Sequence, residues 1–214
     1  MIRRCSALLL VLAACGGSDT MPEAASQEPQ ASTPMDEVLG TIEATVDGQP
    51  MTWYIVSGDV RGAPYASAVW YRPDDESVLI GIGGFDTQTP PMETFETGEN
   101  GTPVSYGDYS GPVFTLSFKT GPDPAPYRGT LPNDGMTTLV YMSQATMSEI
   151  EFMFIPQSGE VDVTVLELSN GRIRAEGTFS GRLGNVGGEG RFVEVTDGRF
   201  SVRGVPHLDE ISGE

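Results

Sequence analysis

Few side chains in this 214-residue chain could carry covalent or acid–base chemistry, and their surroundings narrow what each could do. The single histidine, His207, follows Pro206 in a polar stretch ending Asp209-Glu210-Ile211-Ser212-Gly213-Glu214, where a Ser-His-Asp relay would lack rigid support. The single lysine, Lys119, closes an apolar-alternating run and lacks the Ser-x-x-Lys spacing of a hydrolase pair. Two cysteines and one histidine cannot complete a four-ligand zinc site. Gly81-Ile82-Gly83-Gly84 follows a strand-like run, as a phosphate-cradling loop would. Pro90-Pro91 behind it leaves no helix to hold an anion, so these glycines read as a bulge or a close strand crossing.

Acids are the one plentiful reactive type, with 30 Asp+Glu against 12 Lys+Arg and a net charge of −18. Such a chain is repelled by a polyanion, which disfavours nucleic acid as a partner. Asp74-Asp75-Glu76 lacks the alternating spacing of a calcium loop and reads as a hairpin tip. Glycoside hydrolysis needs two carboxyls about 5–10 Å apart, and no pair is marked out. No catalytic residue, metal ligand or cofactor is therefore assigned. The least ordinary stretch is 97–135, where Gly, Pro and Asp surround Tyr106, Tyr109 and Tyr127. Exposed aromatics on long loops stack on sugars or apolar partners, so these three are the candidate ligand-binding residues. The competing reading has them capping the ends of a core.

The elements that must position these residues are strands. Gly 27 and Pro 16 make up about a fifth of the chain, well above the usual share, which implies many turns. Ile42, Ala44 and Val46 alternate with Thr41, Glu43 and Thr45, and Asp47-Gly48 supplies a hairpin turn. Further runs of period two cover 51–55, 67–71, 77–82, 113–119, 137–142, 150–155, 161–168, 172–183, 191–195 and 199–203. Ser158-Gly159, Asn170-Gly171 and Asp197-Gly198 punctuate them as turns. The fold class expected is all-β, an antiparallel β-sandwich or open barrel of about ten short strands.

The N-terminus has its own pattern. Met1-Ile2-Arg3-Arg4 is a short basic region, and Ala7 to Ala14 is apolar and too short to span a bilayer. Leu12-Ala13-Ala14-Cys15 resembles the lipobox of bacterial lipoprotein signal peptides. That resemblance implies cleavage before Cys15, a diacylglycerol thioether on its sulfur and acylation, such as palmitate, of its new amine. With Gly16-Gly17 behind the cysteine, the family pattern implies the outer membrane of the cell envelope. Residues 1–14 are then a signal peptide, and 15–38 are the lipidated cysteine and a disordered acidic linker without Lys, Arg or aromatics. Residues 39–205 are the domain and 206–214 a disordered tail.

The mature domain would hold no free thiol, which removes cysteine-nucleophile chemistry. A second likeness links 42–48 with Trp53, and 176–181 with 193–202, to uncharacterised β-rich bacterial envelope lipoproteins. It implies a fold and no activity. The functional expectation is a non-enzymatic, lipid-anchored binding domain for a small molecule, a glycan or an envelope protein. The alternatives are a glycan hydrolase using a carboxylate pair and a purely structural envelope protein.

Overall fold

The alternation read from the sequence is realised as a barrel. The computed structural model describes residues 37–60, 63–74, 76–88, 95–97, 103–106, 110–132, 137–146, 149–150, 153–186 and 190–212. The signal peptide, Cys15 and the linker up to residue 36 lie outside the described residues. In chain order the strands are β1 (Glu37–Val46), β2 (Gln49–Val60), β3 (Ala63–Ala66), β4 (Ala68–Asp74), β5 (Ser77–Phe85), β6 (Phe95–Thr97) and β7 (Pro103–Tyr106). They continue as β8 (Ser110–Thr120), β9 (Tyr127–Leu131), β10 (Thr137–Thr146), β11 (Glu149–Ile150), β12 (Met153–Ser169), β13 (Arg172–Asn185) and β14 (Phe192–Val205). A five-residue helix α1 (Leu208–Ser212) follows.

Eight of these strands, β1, β2, β5, β8, β10, β12, β13 and β14, pair antiparallel in chain order. The ring closes where β14 returns to β1 and β12 meets β10. Full closure leaves the principal sheet without the long bare edges of an open sheet. The all-β antiparallel expectation holds, and of the two architectures expected it is a barrel, closed rather than open.

The strands are longer than their sequence runs. The runs 150–155 and 161–168 were expected as separate strands. The structure gives a short β11 and one 17-residue β12, while 191–195 and 199–203 merge in the 14-residue β14. Asp197-Gly198, expected as a turn, lies inside β14. Asp197 has φ 52°, and the register slips there against both β1 and β13, which makes it a bulge. Ser158-Gly159 lies at a similar slip within β12. The true turns are Asp47-Gly48 (φ 48° and 79°) and Asn170-Gly171 (φ 51° and 74°). In both, two consecutive left-handed residues form a tight hairpin.

We call the end holding Glu37 and the Asn170-Gly171 turn the upper end, and the end holding Asp47-Gly48 the lower end. At the lower end the ring is continuous. At the upper end β2 and β5, joined at Tyr54↔Phe85, splay apart, and β3 and β4 fill the gap as a wedge. Ser67 lies at the apex. Its N–H donates to the Val56 carbonyl (2.8 Å), its Oγ accepts from Val56 N (2.9 Å), and its carbonyl accepts from Gly83 N (2.7 Å). Gly84 lets the strands come close, because a Cβ there would stand 2.7 Å from the Cβ of Trp53. The close crossing expected of these glycines is thus present.

Side chains fill the interior. Trp53 packs on Phe114 (ring centroids 4.9 Å apart) and Phe114 on Phe179 (5.1 Å), with Phe118 on Phe200 (6.0 Å) nearby. Two cross-strand pairs are reciprocal, Phe179 opposite Gly198 and Gly177 opposite Phe200. Each ring occupies the space of the facing glycine's missing side chain, since a Cβ would come within 2.5 Å of the Phe179 ring or 2.7 Å of the Phe200 ring. Larger residues at either glycine would overpack the core.

The segment after Val205 was expected to fray. Residues 206–212 are instead ordered: Pro206 is buried, His207 stands against Trp70, and α1 packs on β3 and β4. A five-residue helix shows too little periodicity to be read from sequence, and contact with Trp70 supplies the ordering.

Candidate functional site

With the interior filled, the outer wall is the surface left for a site. Outward positions of adjacent strands fall in register to form one row, Glu43, Arg199, Thr178, Asp162 and Arg128, running from β1 through β14, β13 and β12 to β9. Neighbouring strands are about 4.8 Å apart, so the row spans about 19 Å. Opposite charges meet at both ends. Arg199 Nε donates to Glu43 Oε2 at 2.8 Å, with Nη2 on the same oxygen, and Arg128 Nε donates to Asp162 Oδ2 at 3.1 Å, again with Nη2 alongside. Hydrogen bonding to Asp162 holds the Arg128 guanidinium above its ordinary pKa.

Below this row the wall is concave. A groove of about 550 Å³ is lined by Arg128, Glu160, Asp162, Thr178, Ser180, Asp197 and Arg199, with Phe179 and Gly198 at its floor. The Asp197 bulge shapes it, because an extra residue on β14 bends the strand and increases the local twist. The lining offers hydroxyl, carboxylate and guanidinium groups on a rigid sheet and no exposed aromatic ring. Such a surface suits hydrogen-bonded recognition of a polar partner. Charges facing outward with apolar rings inside is also the reverse of a membrane-spanning barrel, whose outer band is apolar.

Of the candidate ligand-binding residues, Tyr127 does not line this groove. Tyr127 is half-buried at the head of β9, packs against the core, and bonds through its hydroxyl to Thr137 Oγ1 (2.9 Å), with its ring 6.2 Å from Phe118. That is the core-capping role. Tyr106 ends β7, which among the described residues pairs with β6, Phe95 standing opposite Tyr106 in the ladder. Tyr109 lies outside the described residues, as does Cys15.

Asp74 closes the β4–β5 hairpin, accepting from Ser77 Oγ (2.5 Å) and Glu76 N (3.0 Å), with Lys119 Nζ 3.9 Å from its other oxygen. The Ser77 hydrogen bond holds its carboxyl below the ordinary pKa, the wrong direction for a general acid. This matches the hairpin-tip reading. His207 Nδ1 accepts from Asp209 N (3.3 Å) and lies 3.2 Å from Asp209 Oδ2, so the polar partner of its ring belongs to its own tail, while the ring itself stands on Trp70.

Sequence reasoning missed the groove. Asp162, Thr178, Ser180 and Arg199 were visible as polar positions of alternating runs, while Arg128 and Glu160 fell outside the runs and Asp197 read as a turn, and nothing local says that residues 43, 128, 162, 178 and 199 adjoin. A second surface was missed for the same reason. Phe192, Gly184 and Ile155 share one transverse row at the lower end. Phe192 and Ile155 are exposed, Val186 is exposed close by, and the Arg182 guanidinium lies 4.1 Å over the Phe192 ring. Compared with known proteins, this chain matches no family model, no curated protein and no solved structure.

Proposed function

We propose that this chain is a lipid-anchored protein of the bacterial cell envelope whose barrel binds a protein partner on its outer wall and does no chemistry. The observation that carries the binding reading is the filled interior. An eight-stranded barrel is just wide enough to be packed by side chains or to hold one small ligand. Here Trp53, Phe114, Leu116 and Phe118 are at most 1% exposed and occupy that space. Recognition is then left to the wall, where the Glu43–Arg128 row and its groove give fixed, alternating charges. Such an arrangement specifies register and partner more than raw affinity. The anchor rests on Leu12-Ala13-Ala14-Cys15 behind a short basic region, with Gly16-Gly17 favouring the outer membrane.

Two experiments test this. Cys15→Ser should move the protein from the detergent phase to the aqueous phase and abolish labelling by palmitate; retention in the detergent phase would refute the anchor. A photo-crosslinker on a single introduced cysteine should capture one discrete adduct in intact cells from Thr178→Cys but not from Thr138→Cys, an exposed position on β10. The filled interior also favours a second reading, a purely structural envelope protein, which predicts no site-dependent adduct at all.

A further inference from the structure

The order of charge along the outer-wall row holds more than two ion pairs. From β1 to β9 it runs Glu43, Arg199, Thr178, Asp162, Arg128, which is negative, positive, neutral, negative, positive. Each step is a direct cross-strand pair, so the sheet register fixes the order. Read from the other end, every charged position carries the opposite sign and Thr178 keeps the centre. A row with that property is complementary to itself.

Hydrogen-bonding capacity remains for that complementarity to use. Arg199 and Arg128 each direct Nε and Nη2 to one oxygen of their neighbour, Glu43 Oε2 and Asp162 Oδ2. Among the described residues, Nη1 of each arginine and the second oxygen of each acid form no hydrogen bond. The two arginine side chains are 71% and 73% exposed, and Thr178 between them is exposed.

A two-fold axis that lays this row on itself runs either along the row or along β13. The first sets each side chain on its own copy, Glu43 on Glu43 and Arg199 on Arg199, and turns the barrels end for end. The second sets Glu43 on Arg128, Arg199 on Asp162 and Thr178 on Thr178, so all four charged contacts join opposite signs. It also leaves both barrels pointing the same way, with the two Glu37 residues at one end. Chains anchored by their N-termini to one membrane meet on these walls only about the second axis.

We propose that the partner of the outer wall is a second copy of this chain on the same membrane, docked about a two-fold axis along β13. This rests on the outer-wall reading and names its partner. The net charge of −18 repels copies brought together at random, which confines contact to the surface whose charges interlock. One contact opposes the pairing. Below the row, Glu160 of the groove stands across from the second copy's Asp197, a like-charge pair. Exposed ion pairs are also weak singly and screened by salt. The dimer therefore forms where shared anchoring raises the effective concentration, and dissociates in dilute solution.

The photo-crosslinker at Thr178→Cys stands on the axis, so the mass of its adduct in intact cells identifies the partner. Twice the chain mass is expected. An adduct with a different protein keeps outer-wall recognition and overturns self-pairing, whereas no adduct overturns both. Charge reversal in that background tests the register. Arg199→Glu sets two acids together and Asp162→Arg two guanidinium groups, and each alone should lower the adduct about tenfold. Expressed together, one of them tagged, the two variants should restore it between unlike chains, because the reversed positions lie opposite each other. A misfolded chain could not be rescued in this way. Glu160→Gln, which removes the like-charge pair, should raise the yield about twofold. Unchanged yield after either reversal, no restoration in the mixture, or no gain with Glu160→Gln overturns the two-fold.

Discussion

The two ends of this barrel solve the same closure problem differently. At the lower end β12 meets β10 directly, at Tyr141↔Phe154 and Met142↔Met153, and the ladder runs round the ring. At the upper end β12 pairs with β9 instead, and the β3–β4 wedge separates β2 from β5. Where β2 and β5 part, Ser67 links them through main-chain bonds to Val56 and Gly83, and side chains add to these. Ser67 Oγ receives the Val56 amide, the Tyr127 hydroxyl meets Thr137, and Trp70 Nε1 reaches the Gly171 carbonyl. Cohesion at the lower end therefore comes from one continuous ladder and stacked rings, and at the split end from shorter ladders joined by single bonds. One end should unfold only with the whole molecule, and the other should open locally.

The sharpest way to break that contrast is Trp53→Ala. Removing a fully buried indole that packs on Phe114 should cost about 3–5 kcal/mol in denaturant titration and be felt by every strand. A loss confined to part of the chain would contradict a continuous ring. Ser67→Ala comes next, at about 1–3 kcal/mol, because it strips the acceptor from the buried Val56 amide. Its exchange signature should stay within β2–β5, and spread to β12 and β13 would show that the wedge is not a separate unit. Gly171→Ala forces a side chain into φ 74° in the upper hairpin and should cost about 1 kcal/mol by thermal melting.

The smallest effect is expected from Asp74→Asn at the β4–β5 tip. The native carboxyl titrates below its unfolded value, so its stabilisation is present above the unfolded pKa and lost as pH falls through the folded one. The difference in melting temperature between the two proteins should therefore be largest near neutral pH and vanish in strong acid. A constant difference across that range would remove Asp74 from the account.

Local chemistry made part of this fold legible and hid the rest. Asp47-Gly48 and Asn170-Gly171 were readable as hairpins because both residues of each pair take φ > 0, which this turn requires. Asp197-Gly198 carries the same chemical signal and is a bulge, since a left-handed residue serves either purpose. Whether the next run pairs with a new neighbour or continues beside the old one decides between them, and that is set by β1 and β13, far away in sequence. The same distance hid the groove. Arg199 and Glu43 are 156 residues apart, and no local pattern joins them. Tyr127 attracted attention as an aromatic in a Gly- and Pro-rich stretch, but the composition of that stretch could not show that its ring faces Phe118.

The seam between β1 and β14 has a further consequence. It sets the first and last strands of the barrel side by side, fastened at its foot by Asp47 Oδ1 accepting the Glu194 amide at 2.8 Å. Glu37 and the segment after Val205 consequently leave the barrel from the same end. A circular permutant that joins these ends and reopens the chain at Asp47-Gly48 keeps every barrel strand whole while moving both termini to the opposite pole. In the proposed anchored protein, such a permutant would attach the tether beside Phe192 and Val186 and leave Trp70 at the far pole.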